Sequence, residues 1–165
     1  MSGGGKEAQR LDASCGLYCG ACNVYLATVR GTTEALAEAW GRPAEELVCR
    51  GCRSAERAVF CADCAIRRCA MERGVAGCGE CPALPCERLT GFRAQAAHHA
   101  GVMRAFRRMK SVGRTAWLAE QHARWNCPGC GWAASWYDTQ CSRCGTPLVS
   151  CRDEEAAGGS DGGLI

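Results

Sequence analysis

Apolar and polar positions along this chain alternate with helical period in short stretches, cut apart by glycine and cysteine turns. The longest stretch is 92–125, which has no cysteine. Within it Val102, Phe106, Met109, Val112 and Ala116 follow helical spacing on one side. Arg104, Arg107, Arg108, Lys110 and Arg114 fall mainly on the other. The pattern predicts a basic helical bridge, broken into two helices at Gly113. Upstream, "CGLYCGACNVYLATV" predicts a Gly-rich knuckle feeding a helix from Asn23. "TTEALAEAWG" predicts a helix with Thr32 or Thr33 as N-cap and Gly41 at its stop. Pro43 suits a first helical turn. "CADCAIRRCAMERG" reads as a knuckle and a short helix ending at Gly74, and "CGECPALPCERLTGF" repeats that plan. Downstream of the bridge the chain is short and turn-rich, with strand-forming "WAASWY" inside it.

Composition changes this picture in one respect. Leu, Ile, Val and Phe are scarce, whereas 16 of 165 residues are cysteine. Such a chain buries little large apolar surface. Metal binding supplies the missing stability, since structural zinc contributes on the order of 10 kcal/mol in finger peptides. The opening "MSGGGKEAQRLDAS" shows no apolar h-region and no cleavage pattern, and no stretch has the length of a membrane span. The expected setting is therefore the reducing cytoplasm, with no membrane partner and with thiols as ligands rather than disulfides. The expected organisation is a disordered arm over 1–13, a cysteine-rich metal-binding module over 14–91, the bridge over 92–125, a zinc ribbon over 126–150 and a disordered acidic tail over 151–165.

Twelve of the cysteines fall in six CxxC pairs. A CxxC turn brings two sulfurs close enough for one tetrahedral ion, and two such turns complete a four-cysteine site. The sharpest case is Cys127-x2-Cys130-x10-Cys141-x2-Cys144, a zinc-ribbon spacing with Gly131 and Gly145 directly after the pairs. The upstream module carries the pairs Cys19/Cys22, Cys49/Cys52, Cys61/Cys64 and Cys78/Cys81, with Cys15, Cys69 and Cys86 left over. The run Cys61-x2-Cys64-x4-Cys69 recurs as Cys78-x2-Cys81-x4-Cys86. Eleven thiolates do not fill three separate four-ligand sites. A twelfth ligand from His98, His99 or Cys151, free cysteines beside two complete sites, and bridging thiolates all remain open. For the histidines a packed or solvated role is the expectation, and for Cys151 a spare thiol.

Cys15-x3-Cys19-x2-Cys22 has the spacing by which radical S-adenosylmethionine enzymes hold a cluster. The 143 residues that follow are knuckles and helices, too short and of the wrong kind for the barrel those enzymes need. A plain iron–sulfur cluster on the upstream cysteines is the alternative to zinc. Nucleophile-elbow, P-loop, HExxH and zinc-deaminase motifs are all lacking, so the chain leans away from enzyme. The net charge of +3 dictates no partner. From Pro85 to Trp125, eight Lys/Arg face two Glu. That excess would suit nucleic acid through Arg104, Arg107, Arg108, Lys110 and Arg114. The competing reading, which is favoured, is the solvated face of an amphipathic helix, with protein as the expected partner.

The blocks "CGLYCGACNVY", "CRGCRS", "CADCAIRRCAMERG" and "CGECPALPCERL" resemble, in that order, the uncharacterised cysteine-rich family catalogued as domain of unknown function 3795. "GRTAWLAEQHARWNCPGCG…SWYDTQCSRCG" resembles the zinc-ribbon extension that many members carry. The resemblance spans about residues 13 to 148. It implies metal ligation by Cys15, Cys19, Cys22, Cys49, Cys52, Cys61, Cys64, Cys69, Cys78, Cys81 and Cys86, and it implies no activity. The expected fold is small, metal-stabilised and α-rich, built of short helices and cysteine knuckles, with a C-terminal β-type zinc ribbon. The expected function is a zinc-binding interaction module, with the iron–sulfur or thiol redox protein and the nucleic-acid-binding zinc protein as alternatives.

Overall fold

The computed structural model describes residues 10–157. Among them the chain forms eight α-helices and four 3-10 turns, with only isolated β-bridges. A 3-10 turn at Cys19–Ala21 leads into α1 (Asn23–Arg30), which starts where the sequence pattern sets it. The next helix, α2 (Thr33–Trp40), begins after Thr32 and ends at Gly41. Pro43 then opens a 3-10 turn over Ala44–Leu47. Two short helices follow, α3 (Val59–Ala62) and α4 (Ala65–Glu72). The turn Cys78–Glu80 leads to α5 (Glu87–Arg93), and the turn Ala97–His99 leads to α6 (Val102–Val112) and α7 (Arg114–Arg124). Gly113 separates those two helices, as the periodicity predicts. The last element is α8 (Cys151–Ala156).

Three apolar clusters hold these short elements. One joins Val24, Ala37, Leu47, Cys49 and Ala58 around α1 and α2. A second joins Ile66, Leu89, Val102 and Phe106, tying α4 and α5 to α6. The third draws on distant parts of the chain: Tyr18 and Ala21 from the first knuckle, Trp117 from α7 and Trp125 at its C-cap, Trp136 from the C-terminal turns, and Cys151 from α8. Tyr18 meets Trp117 edge-on, with ring centroids 6.4 Å apart, a favoured aromatic geometry.

Phe106 fixes the bridge onto the cysteine turns. Its ring lies so close to Gly16 and Gly79 that a Cβ would come within 2.8 Å and 2.6 Å of it, respectively. Both glycines sit beside cysteines, so any larger residue would push α6 off two knuckles at once. Opposite charges reinforce the same seam. The Asp12 carboxylate is 2 % exposed. It receives Arg10 at 2.9 Å, Arg53 at 3.1 Å and Arg114 at 3.1 Å. Arg53 also bonds the Asp12 carbonyl, tying the loop after Cys52 to the start of the chain.

Several sequence expectations need correction here. The disordered arm expected over 1–13 does not extend to its end: Asp12 pairs with Tyr18 in a β-bridge, and Asp12 and Ala13 are buried. The tail expected over 151–165 begins instead with a helix, held by a capping box between Ser150 and Asp153. The remaining parts of those two segments, 1–9 and 158–165, lie outside the described residues. "WAASWY" pairs only through the single bridge of Ala133 to Asn126, because beyond it the backbone is committed elsewhere. Ser135 N–H bonds the Asp138 carboxylate, and Trp136 N–H bonds the Ala21 carbonyl.

His98 belongs to the aromatic core. It stacks on Trp136 with centroids 4.2 Å apart, and its Nδ1 lies 2.6 Å from the Tyr137 hydroxyl. His99 stacks on Phe92, with its Nδ1 2.8 Å from the Phe92 carbonyl.

Two measurements test this packing. Phe106→Ala should lower stability by about 3–5 kcal/mol in denaturant titrations of metal-loaded protein. Burial, with a smaller push from His99, lowers the His98 pKa from 6.5 to about 4. The folded state thus prefers neutral His98, and the stability this contributes is complete above pH 6.5 and lost as pH falls toward about 4. An NMR titration should place its midpoint near the lower value, and a midpoint at the ordinary histidine value would contradict the packing.

Candidate metal centre

Four sulfurs close on one point in the C-terminal turns. The Cys127, Cys130, Cys141 and Cys144 Sγ atoms all lie within 4.8 Å of one another. Cys127 and Cys144 are 3.5 Å apart, and Cys130 and Cys141 are 3.7 Å apart. A tetrahedral ion with bonds of about 2.3 Å sets its sulfurs about 3.8 Å apart, so the set has the span one ion requires.

Two equivalent turns build this arrangement. Gly131 N–H bonds the Cys127 carbonyl at 2.8 Å, and Gly145 N–H bonds the Cys141 carbonyl at 2.9 Å. Both glycines take positive φ, 72° and 75°, where a side chain would strain the turn. Single bridges, Asn126 with Ala133 and Gln140 with Pro147, close each turn at its base. Among the described residues these two bridges are the β-pairing within 126–150. Cys127 and Cys141 are buried, whereas Cys130 and Cys144 reach solvent.

The surroundings favour thiolate at Cys127 and Cys144, whereas burial and the neighbouring thiols push Cys130 up to about 12. Gly129 N–H donates to the Cys127 sulfur at 3.3 Å. The Thr146 hydroxyl lies 3.1 Å from the Cys144 sulfur and, with the Thr146 N–H, pulls that thiol down to about 6. Sequence reasoning missed Thr146. Its position two residues after the last ligand is the signal that could have found it.

The upstream cysteines lie differently. All sixteen cysteines are free of disulfides. Among the described residues no other three His, Cys, Asp or Glu ligand atoms come within 4.8 Å of one another. The eleven cysteines nevertheless fall into two neighbourhoods. Cys15 feels the charge of Cys52, Cys64 and Cys61. Cys19 faces Cys52, Cys15 and Cys22. Cys61 faces Cys22, Cys49, Cys64 and Cys52. The second neighbourhood is Cys69, Cys78, Cys81 and Cys86, which line one cavity. Burial raises the Cys15, Cys19 and Cys22 thiols, Cys61 to about 12 and Cys78 to about 11. In such surroundings a thiolate needs a cation.

His98 and His99 stand in the aromatic core, bonded to Tyr137 and Phe92. Cys151 is a free thiol buried in the same core at the head of α8, not on a loose tail. On the bridge, Arg108 forms a two-pronged pair with Glu120 at 2.9 and 2.6 Å. Arg114 meets Glu80 at 2.8 Å and Arg104 meets Glu154 at 3.7 Å. No helix among the described residues is long and apolar enough to cross a membrane.

The model of the family described as "Protein of unknown function (DUF3795)" matches residues 11–91. No curated protein and no solved structure matches the chain. The matched span takes in both upstream cysteine neighbourhoods and ends inside α5, before the bridge begins. The cysteine-rich segment 11–91 belongs to the DUF3795 family.

Proposed function

We propose that this chain is a zinc-dependent interaction module of a reducing compartment. The observation that carries the reading is the closure of Cys127, Cys130, Cys141 and Cys144 to the span of one tetrahedral ion. Four protein sulfurs leave no open coordination position, which suits a structural ion rather than a catalytic one. An ion there would staple a small β-type ribbon. It would also hold Trp136 against Ala21 and Trp117, so its effect would reach the first knuckle. Sixteen unpaired cysteines accord with a cytoplasmic setting.

Protein is the partner this reading favours. The pairing of Arg104, Arg108 and Arg114 with carboxylates draws down the positive field that a phosphate backbone would need. Apolar contact groups are on offer as well: Val59 and Phe60 on α3 and Met71 on α4 are all exposed.

Metal analysis tests the first half of the proposal. Cys130→Ser and Cys144→Ser should each lower zinc by about one ion per chain and lower the melting temperature. Unchanged zinc in both variants would refute the site. For the second half, nucleic-acid affinity should stay weak and be unaltered by Arg107→Ala/Arg108→Ala/Lys110→Ala. A marked loss of affinity with a flatter salt slope in the triple variant would restore the nucleic-acid reading.

A further inference from the structure

The four sulfurs of the second upstream neighbourhood surround a space instead of converging on a point. The cavity has a volume of about 370 Å³ and lies between α4, the turn Cys78–Glu80 and the start of α5. Helical spacing puts Ile66, Cys69, Ala70 and Arg73 along one side of it. Cys81 N–H bonds the Cys78 carbonyl at 3.1 Å, and Leu84 N–H bonds the Cys81 carbonyl at 3.1 Å. This double turn sets Cys78 and Cys81 on the opposite wall, and Cys86 enters from the N-cap of α5.

We infer that Cys69, Cys78, Cys81 and Cys86 ligate a four-iron iron–sulfur cluster in this cavity. The C-terminal turns are the internal standard. In the same chain, a set suited to one ion closes with sulfurs 3.5 and 3.7 Å apart. Here no three sulfurs come within 4.8 Å, yet all four line one wall-to-wall space. In a four-iron cluster each thiolate binds a different iron, so its sulfurs stand much farther apart than around a single ion. The cavity holds more volume than one ion needs, and Ile66, Leu84 and Leu89 give it the apolar lining that clusters favour.

Charge agrees with this assignment. Cys78 faces Cys86, Cys69 and Cys81 first, with Cys64 after them. The Arg73 guanidinium, at the C-terminal end of α4, lines the same cavity as Cys69 and Cys81. A four-thiolate cluster carries net negative charge, and an arginine in the cavity wall offsets part of it. The inference goes beyond the zinc site proposed above and does not depend on it.

The test is anaerobic purification of the full chain with visible spectroscopy and iron, sulfide and zinc analysis. Wild type should be brown. Cys78→Ser and Cys81→Ser should each lose about four iron and four sulfide per chain while keeping the C-terminal zinc. Colourless wild type without acid-labile sulfide overturns the cluster, as does iron without sulfide. Soluble serine variants that retain all their iron and sulfide overturn the assignment to these cysteines. Neither result touches the zinc site, which Cys130→Ser reports separately. If the serine variants precipitate, thiol alkylation of wild type decides. Stripping the cluster should expose Cys69, Cys78, Cys81 and Cys86 to the reagent, and equal labelling before and after stripping counts against the site.

Discussion

A thiolate among apolar side chains is costly unless a cation neutralises it, and this chain puts most of its sulfur in that setting. Fourteen of its sixteen cysteines are buried or half-buried. They are also part of the packing. Cys49 belongs to the cluster of α1 and α2, while Cys15, Cys64, Cys78 and Cys86 pack against the cluster around Phe106. Cys22 touches two clusters. Ligand sites and hydrophobic core are therefore not separate layers of this molecule. A change in metal occupancy is a change in the walls of the core.

Dependence on sulfur follows from how little else is available. No single apolar cluster is large, and the helices are too short to be stable alone. The third cluster compensates by bringing Trp117 and Trp125, from α7 and its C-cap, together with Trp136 from the C-terminal turns. Large aromatic rings bury the most area per residue, which makes a few of them sufficient. The Asp12 carboxylate supplies a second kind of tie, gathering Arg53 and Arg114 from distant parts of the chain beside its neighbour Arg10. Its geometry specifies how those parts meet, a role buried charge serves better than it serves raw stability.

Much of this was legible in the sequence. The onset of α1 at Asn23, the end of α2 at Gly41 and the break at Gly113 all follow from caps and periodicity, which are local properties. The C-terminal four-cysteine set was legible because its ligands lie close along the chain in two like turns. The rest depends on contacts distant in sequence. "WAASWY" has strand propensity, but past the bridge at Ala133 the bonds of Ser135 to Asp138 and of Trp136 to Ala21 override it. The burial of Asp12 could not be read from a polar N-terminal stretch, because its partners are Arg53 and Arg114. Nor could spacing divide the eleven upstream cysteines: Cys64 and Cys69 look like one motif, yet they fall on opposite sides of that division.

The bond from Trp136 to Ala21 has a bearing on biosynthesis. A ribosome releases the first knuckle long before Trp117 and Trp136 exist to cover Tyr18 and Ala21. Until then that knuckle's ring and backbone face water or whatever binds them, beside thiols already able to react. Contacts of such long sequence separation form late and expose the nascent chain to aggregation. For this protein, the interval between translating the first cysteine and the last tryptophan of the core is the period of greatest vulnerability to oxidation and misassembly.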